Sequence, residues 1–466
     1  MKKFGARDQI GYMLGDIGGG LVNQYIGAFF LVFCIYVLGV SPYFMGTLFL
    51  VARIFDAFTD VIMGTIPDRW KIGKSGDKFL PYISISKWLL AASLILSFVD
   101  VSNLNSTLIH IWVVAVYIFF GIAYTADSIP YGSLAAVISD DPIERTKLSR
   151  ARALGGYIVA FGFLAFVPLF VYDSDRNVIP GAFLIVAIVF AAFSLLSYKG
   201  LTTLTIERIR DDKPDGAKSD YKLKDALKAA MKNRPLIGIM VASIGALAIL
   251  GGASQFAAIV FAEYYKMPGA FGINSVASII ITLILFACVP KLVAKFGKKK
   301  LVIISAAFSL IATSSLLFFF AENVYVFIAL YNIATIGSFV FTMMVWALVT
   351  DCLDYTELQS GKRYDGTLYS IYSFSRKLGM GFGAAISSYG LGLAGFVTGA
   401  QSQTVEVAEN IVRIYILVPI IAFVFILIGV GLIFNLNNKK TDEMYKTLGE
   451  RRDSVLKQSD ESVDAI

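Results

Sequence analysis

Long apolar stretches recur along the chain, separated by short polar breaks: 10–38, 43–66, 81–100, 107–137, 152–172, 181–204, 236–264, 270–293, 301–321, 323–350, 367–397 and 410–436. Each is long enough to supply the roughly 20 apolar residues a helix needs to cross a hydrocarbon core of about 30 Å. The pattern therefore predicts an all-α integral membrane protein with twelve transmembrane helices. It also predicts a division into a first six-helix half, 1–204, and a second, 235–437. Between them the charged stretch at 205–234, with Asp211, Asp212, Lys213, Pro214, Asp215 and Gly216, reads as a cytoplasmic linker. After Asn438 the chain is polar and of mixed charge, and residues 438–466 read as a mobile cytoplasmic tail with no apolar face long enough to pack. The loop Asp68-Arg69-Trp70-Lys71-Ile72-Gly73-Lys74 is echoed six helices later by Lys295-Phe296-Gly297-Lys298-Lys299-Lys300. Duplicated halves suit a gated carrier better than a continuous pore.

Composition agrees: 57% of the 466 residues are hydrophobic and 16% charged, against about 45–50% and about 25% in soluble domains. The surplus of Lys and Arg over Asp and Glu, 41 against 34, would suggest nucleic acid in a soluble chain. Here the basic residues gather in alternate connections: Arg69, Lys71, Lys74 and Lys78; Arg145, Lys147 and Arg150; Lys295, Lys298, Lys299 and Lys300. The opposite connections hold chiefly Arg176, Lys266 and Arg413. The positive-inside rule then puts both termini in the cytoplasm, with the chain in the cell membrane, and no nucleic-acid partner is expected. Met1-Lys2-Lys3 resembles the start of a signal peptide, but the apolar run after it is too long, so it reads as the first permanent span. Cys34, Cys288 and Cys352 are scattered, and His110 is the sole histidine. That spacing supports neither disulfides, nor a zinc site, nor a histidine-based catalytic triad, and no enzyme activity or cofactor is expected.

Ionisable groups inside a span are costly unless they meet a partner or a cavity. The second span carries Arg53, Asp56 and Asp60 on one helical face, with the two carboxylates about one turn, 5.4 Å of rise, apart. Two carboxylates in a low dielectric repel each other unless a cation or proton joins them, and the Thr59 hydroxyl adds an oxygen. A site for a monovalent coupling ion, sodium or proton, follows, with Asp56 and Asp60 as the ligands if sodium is the ion. An ion pair of Asp56 with Arg53, or of either carboxylate with Lys377, is the alternative. Lys377 sits in the eleventh span beside Ser373 and Arg376, facing the carboxylates unless the helix starts late enough for it to snorkel. The first span offers Asp16, Gly20, Asn23 and Gln24 on one face, either for sugar hydroxyls or, for its glycines, as a close packing surface. In the fourth span Tyr124-Thr125-Ala126-Asp127-Ser128-Ile129-Pro130-Tyr131-Gly132 is polar and interrupted by proline, as a broken helix lining a cavity would be. Tyr124, Tyr131, Trp346 and Tyr372 are candidate stacking faces for a pyranose. Arg152, near the start of the fifth span, joins Asp16 and Lys377 in an expected mixed-charge set for hydroxyls and a carboxylate. Gate contacts are expected at Asp68 and Arg69 in one loop and at Asp351 and Asp354 in another.

Several stretches together resemble one family, the glycoside-pentoside-hexuronide:cation symporters of the major facilitator superfamily, of which the melibiose permease is a familiar member. They are Gly46 to Ala57 followed by Asp60 and Gly64; Ile129-Pro130-Tyr131-Gly132-Ser133-Leu134; Glu144-Arg145-Thr146-Lys147-Leu148 with Arg152; Asp351-Cys352-Leu353-Asp354-Tyr355-Thr356-Glu357; and Arg376-Lys377-Leu378-Gly379. The resemblance covers nearly the whole chain. It implies the major facilitator fold and a cation site at Asp56, Thr59, Asp60 and Thr125, with Lys377 near both cation and sugar. From the polar and aromatic residues of the spans, substrate contacts are expected at Asp16, Asn23, Tyr124, Asp127, Tyr131, Arg152, Trp346, Ser373 and Lys377. Thr59 stands where the permease has asparagine, and Val61 where proline commonly follows the second aspartate, which keeps both sodium and proton open. The permease's galactoside-binding aspartates fall at Gly20 and Ser128 and its stacking tryptophan at Gly132, so melibiose is not the expected ligand. Gly15-Asp16 and Arg376-Lys377-Leu378-Gly379 look more like the xyloside and glucuronide branches. The expected function is cation-coupled uptake of a glycoside, pentoside or hexuronide by a monomer. Movement of a lipid-like or sulfonated anion is the alternative.

Overall fold

The computed structural model describes residues 3–69, 72, 77–139, 141–173, 177–208, 231–319, 321–360, 365–400, 402–448 and 450. Its elements are α1 (Ala6–Tyr36), α2 (Pro42–Arg69), α3 (Leu80–Ser97), α4 (Ser106–Ile138), α5 (Pro142–Gly162), α6 (Pro180–Leu204), α7 (Arg234–Glu263), α8 (Ala270–Phe296), α9 (Lys298–Phe318), α10 (Val324–Ala334), α11 (Ile336–Ser360), α12 (Asp365–Leu393) and α13 (Val405–Ile426). Short turns at 164–166 and 168–171 extend α5, and a π-helical stretch at 427–433 extends α13. With α10 and α11 forming one broken span, this is the twelve-helix architecture of the major facilitator fold. Ten of the described segments are long and apolar enough to cross a membrane, and α2 and α12 are not among them. Those two helices carry Arg53, Asp56 and Asp60, and Arg376 and Lys377. These half-buried charges lower the apolar character of the two helices, and a neighbouring protein surface, and not lipid, must accommodate them.

In the first half α1 packs along α6 and α5, and α3 along α4; in the second, α7 packs along α12 and α13. The halves join mainly where α12 lies against α2 and α1 against α7. Lipid is as apolar as leucine, so close packing rather than water exclusion holds such helices together. A fully buried aromatic group, Tyr25, Phe29, Phe33, Phe98 and Phe183, supplies much of it in the first half. Tyr25 also donates to the Phe183 carbonyl at 3.1 Å.

Three expectations change. α4 runs through Pro130 without a break, since one lost N–H bond is tolerable in a helix braced by neighbours. The break lies instead at Thr335, between α10 and α11, where the Gly337 N–H donates to the Ser309 hydroxyl of α9 at 2.8 Å. The Glu144 to Arg150 segment, read as a connection, belongs to α5, which starts at Pro142, so Arg152 is well inside a helix. The tail does pack: residues 438–448 are helical, with Met444 and Leu448 each 2% exposed. Those two sit one turn apart, a stripe too short to register as an amphipathic pattern. The linker residues 209–230, Lys71 and Lys74 and the tail beyond 450 lie outside the described residues.

Candidate transport site

α2 presents its charges toward α4 and α12, and glycines on those helices make the room. A Cβ at Gly121 of α4 would stand 2.6 Å from Asp56 Oδ1, and one at Gly381 of α12 would stand 2.8 Å from the Arg53 Cβ. Arg53 Nη1 lies 3.3 Å from Asp56 Oδ2. Asp60 is held from two helices: its Oδ1 accepts from the Thr125 hydroxyl of α4 at 2.9 Å, and its Oδ2 pairs with Lys377 Nζ of α12. Thr59 donates to the Asp56 carbonyl at 3.0 Å, which leaves only its oxygen lone pairs for a cation. Asp56, Thr59, Asp60, Thr125 and Lys377 thus form one cluster. In this conformation each carboxylate has an internal cation. A bound ion would have to displace Lys377 from Asp60 or share the carboxylate with it.

A second cluster lies within the first half. Arg152 Nε of α5 donates to Asp16 Oδ1 of α1 at 3.2 Å, and the guanidinium stands 5.1 Å from the Tyr131 ring of α4. Tyr131 stacks on Tyr12 at 4.7 Å and donates to the Tyr12 carbonyl at 2.7 Å. Gly155, whose Cβ would meet that of Asp16 at 2.9 Å, lets α5 approach α1 here. The single mixed-charge set expected of Asp16, Arg152 and Lys377 is therefore corrected to two pairs: Lys377 is committed to Asp60, and Arg152 to Asp16. Tyr131 is 4% exposed, so its ring is a support under Arg152 rather than an open stacking face.

Asp127 is placed elsewhere. At 2% exposure it accepts from Ser86 of α3 at 3.1 Å and from the Tyr198 hydroxyl of α6, inside the helix packing of the first half. Asn23, Tyr124 and Ser373 are half-buried, with Tyr124 against Phe120 at 5.8 Å. Trp346 of α11 is 41% exposed and carries the Arg376 guanidinium at 5.0 Å over its ring, with Tyr372 edge-on at 5.4 Å. Arg376 is therefore packed against an aromatic face.

Of the expected gate residues, the side chains of Asp68 and Arg69 lie outside the described residues. Asp351 is corrected: its carboxylate pairs with Lys298 Nζ at 2.7 Å and accepts from the Tyr445 hydroxyl of the tail, both contacts lying within the second half and its tail. Burial, and then the adjoining Asp351 carboxylate, raise the Tyr445 phenol above its ordinary range and keep it a donor. Asp354, on the same helix, is 9% exposed.

Sequence reasoning also passed over Glu207 and Arg208. Glu207, 1% exposed, accepts from the backbone N–H groups of Lys78, Phe79 and Leu80 at 2.6, 2.8 and 2.7 Å, and so caps α3 from across the half. Arg208 pairs with Asp8 of α1 at 2.8 Å. Both sit at the edge of a charged stretch with nothing local to set them apart.

Half-buried paired charges on facing helices of a two-half membrane bundle define a solute carrier. The family comparison makes this specific: residues 11–438 match the model described as "MFS/sugar transport protein". The chain belongs to that family and to the major facilitator superfamily of membrane transporters, and it is not an enzyme. It is 31% identical over 455 residues to the Bacillus subtilis (strain 168) protein named "Uncharacterized symporter YjmB", covering 97% of this chain and 96% of that one. It is 30% identical over 463 residues to the "Glucuronide carrier protein homolog" of Escherichia coli (strain K12), covering 96% of each. A third relative, the "Putative sulfoquinovose importer" of the same organism, is 28% identical over 468 residues, 97% of this chain and 96% of the relative. Among solved structures, the inward-open xylose transporter XylE of E. coli superposes with a TM-score of 0.60 at 16% identity, covering 95% of this chain and 98% of that one, a likeness of fold.

Proposed function

We propose that this transporter couples entry of sodium or a proton to uptake of a sugar, with an acidic sugar or glycoside as the preferred class. Asp60 carries the coupling: its carboxylate joins Thr125 of the first half to Lys377 of the second, so an ion that competes with Lys377 changes the tie between the halves. Asp16 and Arg152 serve the solute, the carboxylate accepting from hydroxyls and the guanidinium gripping an anion with its planar fork. The termini face the cytoplasm of a cell membrane in this reading, supported by the basic residues at that end. The name of the glucuronide carrier relative supports the acidic-sugar class.

The test is uptake of labelled glucuronides and neutral xylosides into vesicles holding the purified carrier, with sodium and proton gradients imposed separately. One gradient should concentrate the preferred solute and the other should not; accumulation indifferent to both would remove the coupling from this reading. A sulfonated sugar is the second reading, favoured by the name of the sulfoquinovose importer and by the fit of one guanidinium to either anion. Competition by sulfoquinovose against glucuronide uptake separates the two.

A further inference from the structure

The halves meet unevenly along the membrane normal. At the end away from the termini, one continuous buried core runs from the first half through Phe29, Phe271 and Phe256 into the second. Nearer the termini the second half has a core of its own. Among the described residues, polar contacts also join the halves at the distal end. At the distal end the Gly399 N–H donates to the Ile35 carbonyl at 3.1 Å, and the Thr47 and Tyr389 hydroxyls meet at 2.6 Å, both across the halves. At the terminal end the Asp8–Arg208 and Lys298–Asp351 pairs each stay within one half. The distal end is therefore closed, and a transport cycle has to part it.

One charged group stands at that seam. Glu263, the last residue of α7, is 5% exposed. Its Oε2 accepts from the Gln403 N–H at 3.1 Å and lies 3.6 Å from Lys266 Nζ, both from its own half. Lys266 is the one non-glycine residue among those described with positive φ, +50°, a backbone state held only where surrounding structure enforces it. The remaining oxygen, Oε1, accepts from the hydroxyl of Tyr36, the last residue of α1, in the other half. Tyr36 is also packed edge-on against Phe396 of the second half at 5.3 Å. Of the hydrogen-bond and ion-pair partners of Glu263 among the described residues, parting the distal end would leave Lys266 and Gln403 and remove Tyr36. A cavity of about 350 Å³ beside them, lined by Tyr36, Tyr172, Asn177, Glu263, Lys266 and Ser402, gives water a route to the carboxylate. Water there can replace the phenol when the bond breaks, which keeps the release reversible.

We propose that Glu263 is the latch of the distal gate, a positioning residue for transport that holds the halves together through the Tyr36 hydroxyl and sets how readily the empty carrier opens on that side. This rests on family membership alone and needs no particular solute or coupling ion. The experiment uses the full chain with its three native cysteines replaced by alanine and spin labels at Ser102→Cys and Glu322→Cys, exposed loop positions on the distal side of each half. Inter-label distances are read by pulsed electron resonance in nanodiscs with no substrate. Tyr36→Phe, which removes one oxygen, should raise the long-distance population at least threefold, and Glu263→Ala should match it. The double variant should go no further than either single change, because both remove one bond. Lys266→Ala, whose contact stays within one half, should shift the population less. An unchanged distribution in a monodisperse Tyr36→Phe carrier, or full additivity in the double variant, would overturn the latch and leave Glu263 a local clasp for the Gln403 loop. Because the measurement holds no sugar, its failure is distinct from failure of the sugar reading.

Discussion

Lys377 of α12 and Asp60 of α2 form an ion pair across the two halves of the carrier, and the other Asp60 oxygen takes the Thr125 hydroxyl at 2.9 Å. The pair leaves Asp60 with an internal cation. In the proposed coupling, ion binding would compete with this tethered cation.

Lys377→Ala should expose that competition. With the lysine gone Asp60 faces Thr125 alone, and an unpaired carboxylate at this depth is unfavourable. Gradient-driven accumulation should be lost, and the thermal midpoint of the purified variant should rise on adding the coupling ion by several degrees more than the parent's does. Equal responses of the two proteins would show that Lys377 does not occupy the ion's place.

Asp56→Asn and Asp60→Asn test the carboxylates individually. Each removes one charge from the cluster and leaves an amide of the same shape, so the helices should stay packed while uphill transport fails. Downhill exchange of labelled solute should persist within about tenfold of the parent, the loss expected where roughly 1.4 kcal/mol of positioning is forfeited. Uphill accumulation at parental levels in both variants would place the coupling elsewhere.

Arg152→Lys keeps the charge but loses the planar fork that meets Asp16 at 3.2 Å and the stacking over Tyr131. Affinity for an acidic sugar should drop at least tenfold, about 1.4 kcal/mol, with little change in maximal rate. Calorimetric titration of the purified variants measures this, and unchanged binding in both Arg152→Lys and Asp16→Ala would remove the solute site from the first half.

Glu207→Ala addresses stability. It strips the acceptor from three backbone N–H groups at the start of α3, those of Phe79 and Leu80 in a buried setting and that of Lys78 in a half-buried one. A loss of about 2–3 kcal/mol is expected from one charged cap with several donors. It should appear as a lower thermal midpoint in detergent, with Glu207→Gln recovering part of it. A midpoint equal to the parent's would mean that water replaces the cap at no cost.

Helix content, span number and the charged helix faces were legible in the chain because they are local. A run of about 20 apolar residues, or carboxylates four positions apart, needs no knowledge of neighbours. Asp56 and Asp60 share a face of α2 on helical periodicity alone. Tertiary structure decided which partner each charge meets. Asp127 has the same local signature as a cavity residue, yet α3 and α6 enclose it with Ser86 and Tyr198, residues 41 and 71 positions away. Asp351 looked like a gate charge until Lys298 and Tyr445, 53 and 94 positions distant, claimed it. Glu207 reads as linker, and only the approach of α3 makes it a cap. In each case the energy of a buried charge depends on groups brought near by helix packing. The chain by itself determined that such charges lie within the membrane, and the packing of α2, α4 and α12 decided that Asp60 and Lys377 meet there.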